Sequence, residues 1–148
     1  MRLTRGKRCV IIGLGASGLA AVRYLHELGL QVSVSESRTE DQLDGAMLKE
    51  MRELGVVVET GGHSHEFFKG TELVVPSPGV PLDLPVVIQA VESGAMIAGE
   101  LALAAGRISS PVIAVTGSNG KTTVTSLIGH LLKADNREVF VGLSLIHI

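Results

Sequence analysis

Short apolar, β-branched runs recur along this chain, and most are followed by a segment with helical spacing. Cys9–Ile12, Gln31–Ser35, Val56–Glu59, Glu72–Val75, Pro111–Val115 and Glu138–Val141 read as strands. Ser17–Leu28, Asp41–Leu54, Leu84–Ser93, Glu100–Ala105 and Lys121–Lys133 read as helices. In the second helix Leu43, Met47, Leu48, Met51 and Leu54 fall near one face, and Gly55 stops it. A strand that is apolar throughout needs cover on both faces, and intervening helices supply it. Crossovers of this kind are right-handed in nearly all cases, so a doubly wound α/β fold around a parallel sheet is expected.

The 148 residues suffice for one full domain and part of another, a domain taking roughly 100–200 residues. A new strand and glycine-loop unit begins around Gly99–Arg107, which places one domain at 1–99 and the start of a second at 100–148. Hydrophobic residues make up 45% and charged residues 19%, a balance opposite to that of a disordered chain. With 3% aromatics and no Trp, the core must be aliphatic. The net charge of −2, without a basic stripe, leaves no footprint for nucleic acid. One cysteine, Cys9, cannot form an internal disulfide and fits a reducing compartment. The apolar run after the basic Met1–Arg8 start is too short for a secretory signal. No run reaches the ~20 apolar residues of a membrane helix, so a soluble, cytoplasmic protein is expected.

Two glycine loops carry chemistry. Gly13-Leu14-Gly15-Ala16-Ser17-Gly18 fits G-x-G-x-x-G between a strand and a helix. There Gly13 permits the turn, Gly15 lets backbone approach a diphosphate, and Gly18 lets helix and sheet pack closely. The helix tip adds free N–H groups and about half a positive charge. Glu36, after the second strand, suits a ribose hydroxyl; Arg38 suits a diphosphate or a base. The motif leaves open whether the ligand is a dinucleotide such as NAD or a UDP-sugar.

The second loop is Thr116-Gly117-Ser118-Asn119-Gly120-Lys121-Thr122-Thr123, expected between a buried strand and a helix. Backbone N–H groups would wrap phosphate oxygens, Lys121 would add charge near the terminal phosphates, and Thr122 would offer a hydroxyl to Mg²⁺. The spacing is shorter than G-x-x-x-x-G-K-[ST], whose first glycine would fall at Val115.

Together these loops, with Ser77-Pro78-Gly79-Val80-Pro81, resemble the Mur ligases, and specifically their D-glutamate-adding branch, from about Lys7 to Gly142. The resemblance implies a Rossmann-like UDP-substrate domain followed by the start of a P-loop ATP-binding domain. It implies UDP-substrate contacts at Gly15, Ala16, Ser17, Gly18, Glu36, Ser37, Arg38, Ser77, Pro78 and Gly79. It implies ATP contacts at Gly117, Ser118, Asn119, Gly120, Lys121, Thr122 and Thr123, with Lys121 catalytic and Thr122 holding Mg²⁺. The implied substrates are UDP-N-acetylmuramoyl-L-alanine and D-glutamate. ATP would phosphorylate the carboxylate, and the D-glutamate amine would displace phosphate. The family often has Asp where Glu36 stands.

After Val141-Gly142 the family continues into Gly-Asn-Ile-Gly, whereas this chain reads Leu143-Ser144-Leu145-Ile146-His147-Ile148. The resemblance therefore implies missing parts, among them an acidic Mg²⁺ ligand, a modified lysine and a D-glutamate domain. Leu143–Ile148 is expected to be a non-family, association-prone tail, and the chain to be inactive alone. His63 and His65 read as structural or solvated, His26 as surface, and Cys9, Met47 and Met51 as core. The competing readings are an NAD(P)-dependent oxidoreductase fragment and a non-catalytic nucleotide-binding module.

Overall fold

A computed structural model describes residues 3–105 and 108–142. In chain order the elements are β1 (Arg8–Ile12), α1 (Ala16–Glu27), β2 (Gln31–Glu36), α2 (Gly45–Glu53), β3 (Val57–Thr60), α3 (His65–Phe68), β4 (Leu73–Pro76), α4 (Pro85–Glu92), β5 (Met96–Ile97), α5 (Glu100–Ala105) and α6 (Lys121–Ala134). The chain divides into two compact units, Met1–Arg107 and Ile108–Ile148.

The first unit carries a five-stranded parallel sheet of order β3-β2-β1-β4-β5. The central strands alternate their side chains between two cores. Cys9 and Ile11 of β1 and Leu73 and Val75 of β4 join Val22 and Leu25 of α1, and Leu48 and Met51 of α2. Val10, Ile12 and Val74 point the other way, onto Val86, Val87 and Ala90 of α4 and Phe68 of α3. The expected covering of both sheet faces is therefore met. At full burial, side chains of this size contribute about 1.5–3 kcal/mol each, so β1 and β4 anchor the unit.

Several boundaries differ from the sequence expectation for local reasons. The helix expected at Asp41–Leu54 is split. Glu40–Gln42 forms one 3₁₀ turn, Leu43 returns to extended backbone, and α2 starts after Asp44. The Asp44 carboxylate accepts the Ala46 N–H at 2.7 Å, a cap that ends one segment and begins the next. The two-residue edge strand β5 and the single-turn α3 were too short for a periodicity to register. The α5 helix packs on the first unit: Leu103 is buried in its core, and the Tyr24 hydroxyl donates to the Leu103 carbonyl at 3.4 Å. The first compact unit runs to Arg107.

The second unit departs further. Neither Pro111–Val115 nor Glu138–Val141 is a strand. A strand exists by pairing, and among the described residues neither segment has a ladder partner, so the apolar sequence is present without the sheet. The expected segment Leu143–Ile148 lies outside the described residues.

Candidate functional site

The topology fixes where a ligand can sit. From β1 the chain winds outward through β2 and β3, then returns to place β4 on the other side of β1. The carboxyl ends of β1 and β4 therefore border the crevice at the switch point of the sheet. The loop Gly13–Gly18 leaves β1 there, Ser77–Gly79 leaves β4, and Glu36–Arg38 ends β2 beside them.

The glycines of the first loop do different work. Gly13 has φ +92, a conformation side chains rarely adopt. A Cβ on Gly18 would stand 2.0 Å from the Gly13 carbonyl oxygen, so helix and loop touch backbone to backbone. A Cβ on Gly15 would meet nothing within 4 Å, leaving room for a ligand to approach the chain. Gly15 is also the cap of α1 and supplies no side-chain hydrogen bond, so the first-turn N–H groups have no partner within the helix. Ala16 is exposed and Ser17 half-buried. Ser77 braces the loop: its hydroxyl donates to the Gly13 carbonyl at 3.2 Å, and its N–H donates to the Ile12 carbonyl at 2.9 Å. Pro78 and Gly79 are exposed, with Gly79 at φ +89.

Glu36 is not the free carboxylate that the sequence suggested. It is 3% exposed and turned into the loop. Oε2 accepts the Leu14 N–H at 2.7 Å and an Arg38 guanidinium N–H at 2.9 Å. Oε1 accepts from the Arg38 backbone N–H at 2.9 Å, Arg38 Nε at 3.1 Å and the Ser37 hydroxyl at 3.3 Å. The guanidinium also donates to the Leu14 carbonyl at 3.1 Å. Five donors meet about four acceptor sites, so no capacity is left for a ribose hydroxyl. The Arg38 side chain bonds hold the Glu36 carboxyl at about 2, against the opposing effect of burial and with help from the Arg38 and Leu14 N–H groups. Arg38 remains 47% exposed, so a guanidinium face is left at the crevice. Leu14, absent from the expected contacts, is the residue gripped through both its N–H and its carbonyl. That role lies in backbone atoms and leaves no side-chain signal.

In the second unit, α6 begins at Gly120, which has φ +76 and supplies no side-chain cap. Gly117 has φ +148. The Lys121 ammonium curls over the loop, donating to the Gly117 carbonyl at 2.6 Å and the Ser118 carbonyl at 3.3 Å. Gly117, Ser118, Asn119, Gly120, Thr122 and Thr123 are exposed. This is an open helix tip with a cation folded against it, a geometry suited to an anion. Among the described residues, no group of three or more His, Cys, Asp or Glu side chains could hold a metal ion. No helix among the described residues is long and apolar enough to cross a membrane.

Residues 7–99 match the Mur ligase MurD-like N-terminal domain, and residues 115–146 match the Mur ligase middle domain. The chain belongs to the Mur ligase family. The second match runs into the segment after Gly142 where the sequence departs from the expected motif. A UDP-N-acetylmuramoylalanine–D-glutamate ligase from Desulfosudis oleivorans is 45% identical over 94% of this chain and 30% of its own length. One from Koribacter versatilis is 44% identical over 93% of this chain and again 30% of its own. The chain thus spans about 30% of the length of these relatives. Among solved structures, the UDP-N-acetylmuramate–alanine ligase of Thermotoga maritima is similar, with TM-score 0.54 and 28% identity. The similarity covers 91% of this chain and 31% of that one. As a Mur ligase chain, its first glycine loop and its Lys121 loop fall in two successive family domains.

Proposed function

We propose that this chain carries the UDP-substrate grip and the ATP loop of a ligase that joins D-glutamate to UDP-N-acetylmuramoyl-L-alanine. The observation that carries this reading is the Glu36–Arg38–Leu14 lock. An acid that accepts a ribose hydroxyl must have a free oxygen at the crevice, as a dinucleotide dehydrogenase requires. Here both Glu36 oxygens are spent on the protein, and the group presented is a half-exposed guanidinium. A guanidinium can stack on a base or fork onto phosphate. The uncapped tip of α1, at Ala16, Ser17 and Gly18, suits the diphosphate. Ser77, Pro78 and Gly79 border it from β4.

The second loop fits ATP on the same grounds. Amides of Gly117–Thr123 would meet phosphate oxygens. Lys121, now on its own loop's carbonyls, would exchange them for a charged partner worth more per bond. The Thr122 hydroxyl would be a protein ligand to Mg²⁺, which commonly takes its remaining positions from phosphates and water. Bound ATP would supply the phosphoryl group that activates the substrate carboxylate, and Mg²⁺ would offset the charge of its phosphates. The relatives' names support ligation for the whole protein, and this chain spans about 30% of their length.

Isothermal titration with UDP and NADH tests this. UDP should bind and NADH should not. Arg38→Ala should weaken UDP about tenfold or more, the range of a lost charge-assisted bond. Binding of NADH as tight as UDP, with Arg38→Ala neutral, would sink the reading.

A further inference from the structure

The β2–β3 ladder ends at the Glu36–Thr60 pair. Two further backbone bonds extend it past the strand ends: Gly61 N–H donates to the Arg38 carbonyl at 2.9 Å, and Gly62 N–H to the Glu36 carbonyl at 3.3 Å. The turn that makes them needs two glycines, at φ +79 and +152, and so has little backbone preference of its own. Side chains hold it instead.

Ser35 is fully buried, with its Oγ 2.9 Å from Glu59 Oε2 and 2.7 Å from His63 Nδ1. The Ser64 N–H donates to Glu59 Oε2 at 3.1 Å, and the Ser64 hydroxyl donates to Glu59 Oε1. The protons of this cluster can be counted. Ser35 has one, and an ionised Glu59 only accepts. The one Ser35 proton is therefore taken up by Glu59 Oε2 at 2.9 Å and the Gly62 carbonyl at 3.3 Å, both of which only accept, and His63 must carry its proton on Nδ1 and donate to Ser35. Burial works to raise the Glu59 carboxyl, but the bonds from Ser64 and Ser35 and the electrostatic influence of His63 outweigh it and hold it below its ordinary value. The result is a directed chain from His63 through Ser35 to Glu59, spanning β2, β3 and the turn.

We propose that His63, Ser35 and Glu59 form a positioning relay that pins the Gly61–Gly62 turn against the Glu36–Arg38 backbone and so sets where the Arg38 guanidinium stands for the nucleotide. This rests on the reading of Arg38 as a UDP contact. Ser35 meets the crevice loop only through its backbone, its carbonyl accepting the Gly13 N–H at 2.9 Å; the relay side chains act on the turn and, through it, on the Arg38 and Glu36 carbonyls.

The experiment uses the full chain and three readouts. Ring ¹⁵N shifts should show His63 protonated on Nδ1. His63→Leu should speed amide exchange at Gly61 and Gly62 about tenfold and weaken UDP by a similar factor, the scale of one lost hydrogen bond. His63→Asn, which can donate from nearly the same place, should restore most of both. Ser35→Ala combined with His63→Leu should be no worse than the worse single variant, because one chain has already been cut. His63 is only half-buried, so its variants report even where Ser35→Ala fails to fold. An Nε2 tautomer, or unchanged Gly61 and Gly62 exchange in His63→Leu, overturns the relay and leaves UDP binding standing. So does unchanged UDP affinity in that variant. An unaltered chain that binds no UDP overturns the nucleotide reading, and the proposed purpose of the relay with it.

Discussion

A single methyl group at Gly18 would have to occupy space 2.0 Å from a carbonyl oxygen and 3.0 Å from its carbon. Both are backbone atoms of Gly13, so no side-chain rotation relieves the clash. Gly18→Ala should destabilise the first unit by at least about 1–3 kcal/mol, the cost of overpacking a rigid contact. Urea unfolding reads it, and Gly15→Ala, with open space around it, should cost far less. Glu36 adds a pH dependence. Its folded value lies at about 2, below the ordinary 4.5. Its contribution is therefore present above about 4.5 and lost as pH falls toward 2. The full linkage is at most about 3 kcal/mol, less what solvent screens at the half-exposed guanidinium. Glu36→Gln should lower stability at pH 7 and flatten the acid limb between pH 5 and 2, approximately the window set by those two values. An unchanged acid limb would remove Glu36 as its cause. At this scale the sequence showed which residue types gather, through the glycine spacing and the acid after β2. It did not show the saturation of Glu36. Leu14 and Glu36 are 22 positions apart, and their bond exists only once β1 and β2 pair.

Elements were legible where their signal was long and their partners near. The strands β1 and β4 are apolar enough to announce burial on both faces, and helix α1 follows a glycine loop and stops just before Gly29, with φ +78. The same apolar signal misled at Pro111–Val115. Composition reports that a segment would suit a sheet, whereas a sheet requires a neighbour, and among the described residues that neighbour is absent. The start of α2 was missed for the opposite reason: one side chain overrode a helical spacing that runs on through Leu43. Asp44→Ala should remove that cap and cost about 1 kcal/mol. If the loss occurs, circular dichroism should show helix content falling slightly while the midpoint of urea unfolding drops; no change in the midpoint would mean that α2 is held by Leu48 and Met51 alone.

At the scale of the molecule, the two units differ in how well they bury their apolar side chains. The first encloses its central strands and the helices α1 to α5 around two cores, with Ile11, Val22, Leu25 and Val87 at 0% exposure. In the second, Val112, Ile113, Val124, Leu127, Leu131 and Phe140 are all exposed, the last at 94%. Val124, Leu127 and Leu131 recur at three- and four-residue spacing and so form one stripe along α6, the pattern of a helix face made to be covered. The family match to a middle domain agrees with such a face belonging to a larger layered structure. An uncovered stripe should bind an apolar dye and favour association of the chain with itself. Replacing Leu127 and Leu131 with Lys should reduce dye fluorescence and shift sedimentation toward the monomer. The unfolding free energy of the first unit should stay within about 0.5 kcal/mol, because neither residue contributes to its cores. Helix capping at Gly120 and the Lys121 contacts are unchanged by those substitutions, so any ATP binding by the chain should survive them. A chain that is monomeric and dye-free before substitution would show that the stripe is covered in solution and that the second unit closes a core of its own.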